Sequence, residues 1–203
     1  MKLVKIIVAG IVGGILIFMW GFVAHTILPS GHWGVKAIPA AADAPLQAAL
    51  AEVPTYGMYV FPHMDEADMH SMDQAKMAAY DEKRRASVAG FVVIAPKGEG
   101  MMNMNQMGRE FGTDIIAAIL GALVIFWGVT NSGPFRTVGM SIAMGLMSWF
   151  LISTSYNIWW RLPRDYILGE LIAEVAGFAI AGVGFYIVGL LFRKRKAPEV
   201  DAI

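Results

Sequence analysis

Residues 6–28 read IIVAGIVGGILIFMWGFVAHTIL, an apolar run interrupted only by His25 and Thr26 near its end. A helix needs about 20 mostly apolar residues to cross the ~30 Å hydrocarbon core of a bilayer. The run is longer than the apolar core of a secretory signal, and the nearest Ala-x-Ala, residues 40–42, lies well beyond it. We therefore predict that residues 1–28 form a first transmembrane helix that is retained as an anchor.

Three further apolar runs of similar length occupy residues 113–129, 138–156 and 166–192. The whole chain of 203 residues is 57% hydrophobic and only 16% charged, whereas globular chains carry about 25% charged residues. The sequence therefore predicts a membrane protein whose fold is an all-α bundle of four transmembrane helices, with residues 109–192 supplying the second to fourth.

The distribution of lysine and arginine predicts how these helices are oriented, because short cytoplasmic segments carry an excess of both. The short loop between the third and fourth runs holds Arg161 and Arg164. Seven basic residues fall on the opposite side: Lys2, Lys5, Arg136, Arg193, Lys194, Arg195 and Lys196. We predict that both termini are cytoplasmic and that residues 193–203 form a basic cytoplasmic tail.

Residues 29–108 are too long and too patterned for a simple connector. We predict a helix over 45–53, a strand over 57–61, a helix from Asp65 to about Arg85 and a strand over 90–94. Asp65 is the predicted cap of the long helix, whose end is basic as the helix dipole favours. The segment is thus predicted to be a small extracytoplasmic α+β domain inserted between the first two transmembrane helices.

Three features together resemble a family of bacterial four-span inner-membrane proteins. These are residues 25–29 (HTILP) at the end of the first run, residues 57–62 (GMYVFP), and Glu110 ahead of the second run. The resemblance implies a multi-pass protein of the bacterial inner membrane. It implies no activity and no site residues.

Methionine is concentrated in the outer domain, which holds nine of the 14 methionines in the chain. Thioethers are soft ligands that suit Cu(I), and histidine can complete such a shell. Methionine also fills irregular cores, so packing is the competing interpretation. The candidate copper ligands are His63, Met64, Met69, His70, Met72, Met101, Met102, Met104 and Met107.

Ionisable residues are also predicted to gather near the outer ends of the transmembrane helices: His25, Glu110, Asp114, Arg161, Arg164, Glu170 and Glu174. Acids spaced four apart share one helix face. A carboxylate within the hydrocarbon is costly unless it is paired, so an intramembrane acid indicates a functional site. Glu174 lies deepest. The alternative is structural, with Glu170 and Glu174 paired to Arg161 or Arg164.

Small residues spaced four apart predict close helix packing, because lipid provides no hydrophobic drive for helix association. Each predicted transmembrane helix has such a set: Gly10 and Gly14; Ala117 and Gly121; Ser141 and Gly145; and Ala173, Gly177 and Ala181. These sets suit either a compact bundle or a dimer interface.

Several kinds of chemistry lack sequence support. The chain has no cysteine, which removes disulfides and thiolate sites, and its formal net charge of zero gives no support for nucleic-acid binding. Nucleotide-binding, zinc-protease and hydrolase motifs are not found in a usable context. Ser153, Thr154 and Ser155 have no obvious base beside them in the sequence. We therefore predict that the protein is not an enzyme.

These observations predict a non-catalytic accessory or assembly subunit in the lipid bilayer. Its outer domain is expected to bind another membrane or periplasmic protein. One alternative is a protein that handles Cu(I) on the periplasmic side. A second is a small proton- or ion-coupled carrier that works as a homo-oligomer.

Overall fold

The computed structural model describes residues 2–69, 73–95, 103–128 and 133–192. This part of the chain is mostly helical and contains one small two-stranded sheet. In chain order the elements are α1 (Lys2–Phe22), a first π-helical segment (Val23–Ile27), a 3₁₀ segment (Pro29–His32), α2 (Ala40–Ala51), β1 (Gly57–Phe61), α3 (Glu66–Met69), α4 (Gln74–Ala86), β2 (Gly90–Ile94), α5 (Met104–Gly128), α6 (Pro134–Ser148), a second π-helical segment (Trp149–Ser153), α7 (Thr154–Trp160) and α8 (Arg164–Leu191).

The described residues form two compact units. The bundle unit lies within Met1–Val35, Met104–Asn157 and Leu162–Ile203. The outer unit lies within Lys36–Asn103 and Ile158–Arg161.

Three helical stretches of the described chain are long and apolar enough to cross a membrane: Lys2–Ile27, Pro134–Ile158 and Arg164–Leu191. They coincide with three of the four predicted transmembrane runs, and their length and composition suit a membrane protein. The remaining run, residues 113–129, falls on α5 except for Val129, which lies outside the described residues. Membrane crossing by α5 stays a prediction.

The core of the bundle unit lies between α1, α5 and α8. Its buried residues are Ile6, Ala9, Ala118, Ala122, Ile125, Ala181, Phe185 and Val188. Four of these eight residues are alanine, which lets the helices approach closely, and the large Phe185 ring packs between them. The ring is 1% exposed and lies against Gly13 and Gly121.

The predicted small-residue sets mostly lie at helix contacts. Gly10 and Gly14 face Ile119 and Ile115 of α5, and Gly145 lies against Val175 of α8. For the pair Ala117 and Gly121, the prediction of close packing is wrong for Ala117. Ala117 is exposed, and its neighbour Ala118 is 2% exposed in the core. The rotation of α5 about its axis, which sequence spacing does not specify, determines which alanine is buried.

In the outer unit, β1 and β2 pair antiparallel in the register Gly57↔Ile94 to Phe61↔Gly90. Both strands have the predicted bounds. The helix predicted over 45–53 begins earlier and occupies Ala40–Ala51.

The single helix predicted from Asp65 to Arg85 is instead two helices, α3 and α4. Asp73 explains where α4 begins, because its side chain accepts hydrogen bonds from Ala75 N at 2.9 Å and Lys76 N at 3.3 Å. A side-chain oxygen that accepts from the first free N–H groups is the usual N-cap of a helix.

Replacing this cap tests its contribution to the outer unit. Asp73→Ala is expected to destabilise α4 by about 1 kcal/mol, since it leaves two N–H groups of the first turn without their acceptor. Amide hydrogen exchange of the full chain in detergent should then be about fivefold faster across α4. Asp73→Asn keeps an acceptor oxygen and should exchange at nearly the wild-type rate. Equal exchange in Asp73→Ala and wild type would show that the cap is not needed.

Candidate functional site

Glu174, in the first half of α8, is a half-buried acid of the bundle unit. Its Oε1 accepts a hydrogen bond of 2.5 Å from Ser153 Oγ, and Ser153 is only 4% exposed. Its Oε2 is buried and has no hydrogen-bond partner among the described residues. In the described chain, Oε1 of this carboxyl therefore has a hydrogen-bond donor and Oε2 has none.

Ser153 is the last residue of the second π-helical segment, in which the chain makes a wider turn than an α-helix. The turn closes where Thr154 N–H donates to Trp149 O, five residues earlier, and the Thr154 hydroxyl donates to Phe150 O. Single π turns inside α-helices occur frequently at functional sites. Here the segment ends with the Ser153 hydroxyl on the Glu174 carboxyl.

Two indole groups attach the same part of α8 to its neighbours. Trp20 Nε1 of α1 donates to Ala173 O at 3.0 Å, and Trp149 Nε1 donates to Ile167 O at 2.8 Å. An indole N–H buried in a helical bundle needs an acceptor, and these carbonyls supply one. The two bonds hold α8 at Ile167 and at Ala173, in the two turns that precede Glu174.

The chain after the first π-helical segment also packs on α8. Ser30 is buried, and a Cβ on Gly169 would lie 2.4 Å from Ser30 O. Gly169 therefore allows a backbone approach that any larger residue would prevent. This contact joins the end of the first predicted transmembrane helix to the turn just before Glu170.

Tyr166, Glu170 and Glu174 are spaced four apart on α8 and so share one face of the helix. This face therefore carries a phenol and two carboxyl groups in sequence, from the first turns of α8 to the Ser153 contact.

The other predicted intramembrane residues are more open. His25, Glu110, Arg161 and Arg164 are exposed, and Asp114 is half-buried on α5. The ion pairs between described residues all lie in the outer unit: His63–Asp65, Lys76–Asp68 and Arg85–Asp81. The described hydrogen-bond partner of Glu174 is a serine, not the arginine of the structural interpretation.

Five of the nine predicted copper ligands fall, wholly or with their side chains, outside the part of the chain that the structure describes. His70, Met72, Met101 and Met102 lie outside the described residues, and the same holds for the side chain of Met69. Among those described, His63 and Met104 are exposed, whereas Met64 and Met107 are half-buried. No three His, Cys, Asp or Glu side chains of the described chain gather as a metal site. Binding of Cu(I) by thioethers stays a prediction.

The outer unit is held by polar contacts around its sheet. Tyr80 OH donates to Pro62 O at 3.1 Å, and Lys83 Nζ donates to His63 O at 2.8 Å, so α4 is attached to the chain that follows β1. Lys76 Nζ donates to Asp68 at 2.6 Å, and this bond raises the pKa of the Lys76 ammonium. None of the described residues of this unit is buried.

One face of the sheet presents apolar side chains to solvent. Side chains alternate along a strand, so Met58, Val60 and Val93 share a face with the half-buried Phe91. The exposed fractions are 53% for Met58, 37% for Val60 and 67% for Val93. We call these three side chains the apolar face.

The sequence identified Glu174 but not the residues that hold it. In the sequence Ser153 has no obvious base beside it, and in the structure its hydroxyl donates to the Glu174 carboxyl. The signal for Trp20 is its place within an apolar run, because the indole N–H needs an acceptor there.

In comparisons with protein families, with curated proteins and with solved structures, the chain matches none of them.

Proposed function

We propose that this protein is a non-catalytic, multi-pass membrane protein that acts as an accessory or assembly subunit. In this proposal its outer domain faces the periplasm of a bacterial cell and binds a partner protein through the sheet. The observation that carries the proposal is the apolar face of an open two-stranded sheet in a unit without buried described residues.

The sheet is poorly stabilised by itself. Two-stranded sheets are marginally stable in water, and a third strand or a covering element is usually needed. Edge strands of natural proteins are commonly protected by charged residues or proline. Neither β1 (GMYVF) nor β2 (GFVVI) contains either. An extended segment of a partner can add to such an edge, with main-chain hydrogen bonds giving affinity and side-chain contacts giving specificity.

The charge of the outer domain favours a protein over a membrane surface as the occupant. Residues 36–103 contain nine acidic and six basic residues. Anionic lipid headgroups attract lysine and arginine, so a net acidic domain is repelled from them. A second copy of the same acidic domain is disfavoured in the same way. We therefore assign the apolar face to an extended, apolar segment of a different protein.

The orientation in this proposal depends on the basic residues near the ends of the apolar runs. Lys2 and Lys5 precede the first run, and the cluster that begins at Arg193 follows the last. Both are expected to stay in the cytoplasm, which puts residues 29–108 on the opposite side.

Site-specific photo-crosslinking in native membranes tests the proposal. A photo-reactive amino acid in place of Val93 or Met58 is expected to give one discrete adduct with another protein. The same group in place of Ala79, which is exposed on α4, is the matched control and should give none.

A charge on the apolar face should abolish the adduct. Val60→Lys is expected to lower the crosslink from position 93 at least tenfold, which corresponds to about 1.4 kcal/mol. Ala79→Lys adds the same charge elsewhere and should leave the yield unchanged. The proposal is overturned if position 79 crosslinks as well as position 93, if Val60→Lys has no effect, or if the only adducts are phospholipid or a second copy of this chain.

A further inference from the structure

We propose that the bundle unit contains a reversible proton-binding site at Glu174, in which Ser153 is the positioning residue. This inference is independent of the partner-binding role of the outer unit. It concerns a buried group of the bundle that the accessory role does not use.

The unsatisfied oxygen of Glu174 indicates that the site takes a cation. Oε1 has Ser153 Oγ at 2.5 Å, whereas the buried Oε2 has no partner among the described residues. A carboxylate inside a membrane protein is strongly unfavourable unless a positive charge or several hydrogen bonds compensate it. One serine hydroxyl is not sufficient. A cation on Oε2 removes the negative charge and satisfies the site.

The surroundings favour a proton over a metal ion. Calcium takes six to eight oxygen ligands, and magnesium requires near-octahedral coordination. Among the described residues, the polar side-chain group that contacts the Glu174 carboxyl is the hydroxyl of Ser153. Trp20 lies against the same part of α8, since its Nε1 donates to Ala173 O and a Cβ on Gly177 would lie 3.3 Å from its Cδ1. A proton needs no further ligands.

The face of α8 that carries Tyr166 and Glu170 gives this proton a line of protonatable groups. Tyr166 precedes Glu170 by about one helical turn, and Glu170 precedes Glu174 by about one more. The three groups therefore run from the first turns of α8 to the site. Chains of carboxyl groups and other protonatable side chains are the usual proton relays of membrane proteins.

The elements packed against α8 carry few other titratable groups. On α5 these are Arg109 and Glu110, which are exposed, and Asp114, which is half-buried. His25 and His32 lie in the first π-helical and 3₁₀ segments and are exposed. Lys2 and Lys5 are at the opposite end of α1 from Trp20. Arg136 is in the first turn of α6, at the opposite end of that helix from Ser153. In the described chain, none of these cations forms an ion pair with the Glu174 carboxyl.

Infrared spectroscopy of the full chain in lipid vesicles detects the bound proton directly, because a protonated carboxyl has a C=O stretching band that a carboxylate lacks. At neutral pH we expect this band in the wild-type protein and its loss in Glu174→Gln. Glu110→Gln removes an exposed acid of α5 and is the matched control, which should keep the band.

Ser153→Ala keeps the acid and removes its hydrogen bond, so the band should remain but shift in frequency. This variant keeps the test decisive if Glu174→Gln does not fold.

Chemical modification with dicyclohexylcarbodiimide is an independent test of the protonated carboxyl. The reagent enters the bilayer and reacts with protonated carboxyl groups. The O–H adds across one C=N bond to give an O-acylurea, and the acyl group then migrates to nitrogen, so no atom is lost. We expect the peptide containing Glu174 to gain the mass of one reagent, in wild type and in Glu110→Gln.

The proposal is overturned if that peptide is not modified, or if the infrared band is missing in wild type or unchanged in Glu174→Gln. The photo-crosslink from Val93 should be the same in Glu174→Gln as in wild type, so the two proposals fail or succeed separately.

Discussion

Alanine at Gly10 or at Gly14 is expected to separate α1 from α5 and to destabilise the bundle unit by about 3 kcal/mol or more. A Cβ at Gly10 would lie 2.2 Å from Ile119 Cγ1 and 2.6 Å from Ile119 Cα. At Gly14 it would lie 2.5 Å from Ile115 Cα and 2.8 Å from Ile115 N. Because main-chain atoms are among these contacts, a change of side-chain rotamer alone cannot relieve them. The helices must move apart, and the small buried residues between them lose contact.

Gly21 and Gly112 are the matched controls for this prediction. They lie on the same two helices, and a Cβ at either position would meet no atom within 4 Å. Alanine stabilises a helix by about 0.5–1 kcal/mol relative to glycine. Alanine at either control position should therefore not lower the free energy of unfolding. Gly21→Ala should be neutral or slightly stabilising. The measurement is the free energy of unfolding in mixed micelles. A Gly10→Ala variant as stable as Gly21→Ala would show that α1 and α5 are not in close contact.

The helices were predictable from the sequence because long apolar runs have few alternative structures. Three of the four runs coincide with helices that can cross a membrane, and the bounds differ by a few residues. The two π-helical segments were not predictable, since no residue type specifies the wider turn. The division of the outer helix was missed for a related reason. Asp65 and Asp73 are both suitable caps by residue type, and only the hydrogen bonds to Asp73 identify the start of α4.

The candidate site was predictable in its chemistry but not in its contacts. Glu174 could be selected because an acid in an apolar helix is rare and costly. Its partner Ser153 is 21 residues away in the chain, and Trp20 is 153 residues from the carbonyl that it contacts. A single sequence does not specify which helices are neighbours or how each is rotated. The structural interpretation, in which Arg161 or Arg164 pairs with Glu174, therefore depends on proximity in the sequence alone.

Phe185→Ala is expected to be among the most destabilising single substitutions in the bundle unit, at about 3 kcal/mol. The side chain is 1% exposed and is one of the largest that are fully buried. It fills the space that Gly13 of α1 and Gly121 of α5 leave open. Burial from lipid carries no hydrophobic transfer term, so the loss comes from the cavity and the missing van der Waals contacts. This places the expected value at the lower end of the range for a buried phenylalanine.

A double-mutant cycle with Gly13→Ala tests whether the ring and the glycine are coupled. A Cβ at Gly13 would lie 2.4 Å from Phe185 Cε1, and the Phe185 ring is 1% exposed. Gly13→Ala should therefore destabilise the wild-type protein by about 1–3 kcal/mol. In the Phe185→Ala background the added methyl occupies part of the cavity, and the same change should be neutral or stabilising. Residues in contact show coupling energies of about 0.5–3 kcal/mol, and the upper half of this range is expected here. Gly21→Ala should be additive with Phe185→Ala. An equal effect of Gly13→Ala in both backgrounds would mean that the ring does not occupy the space beside Gly13.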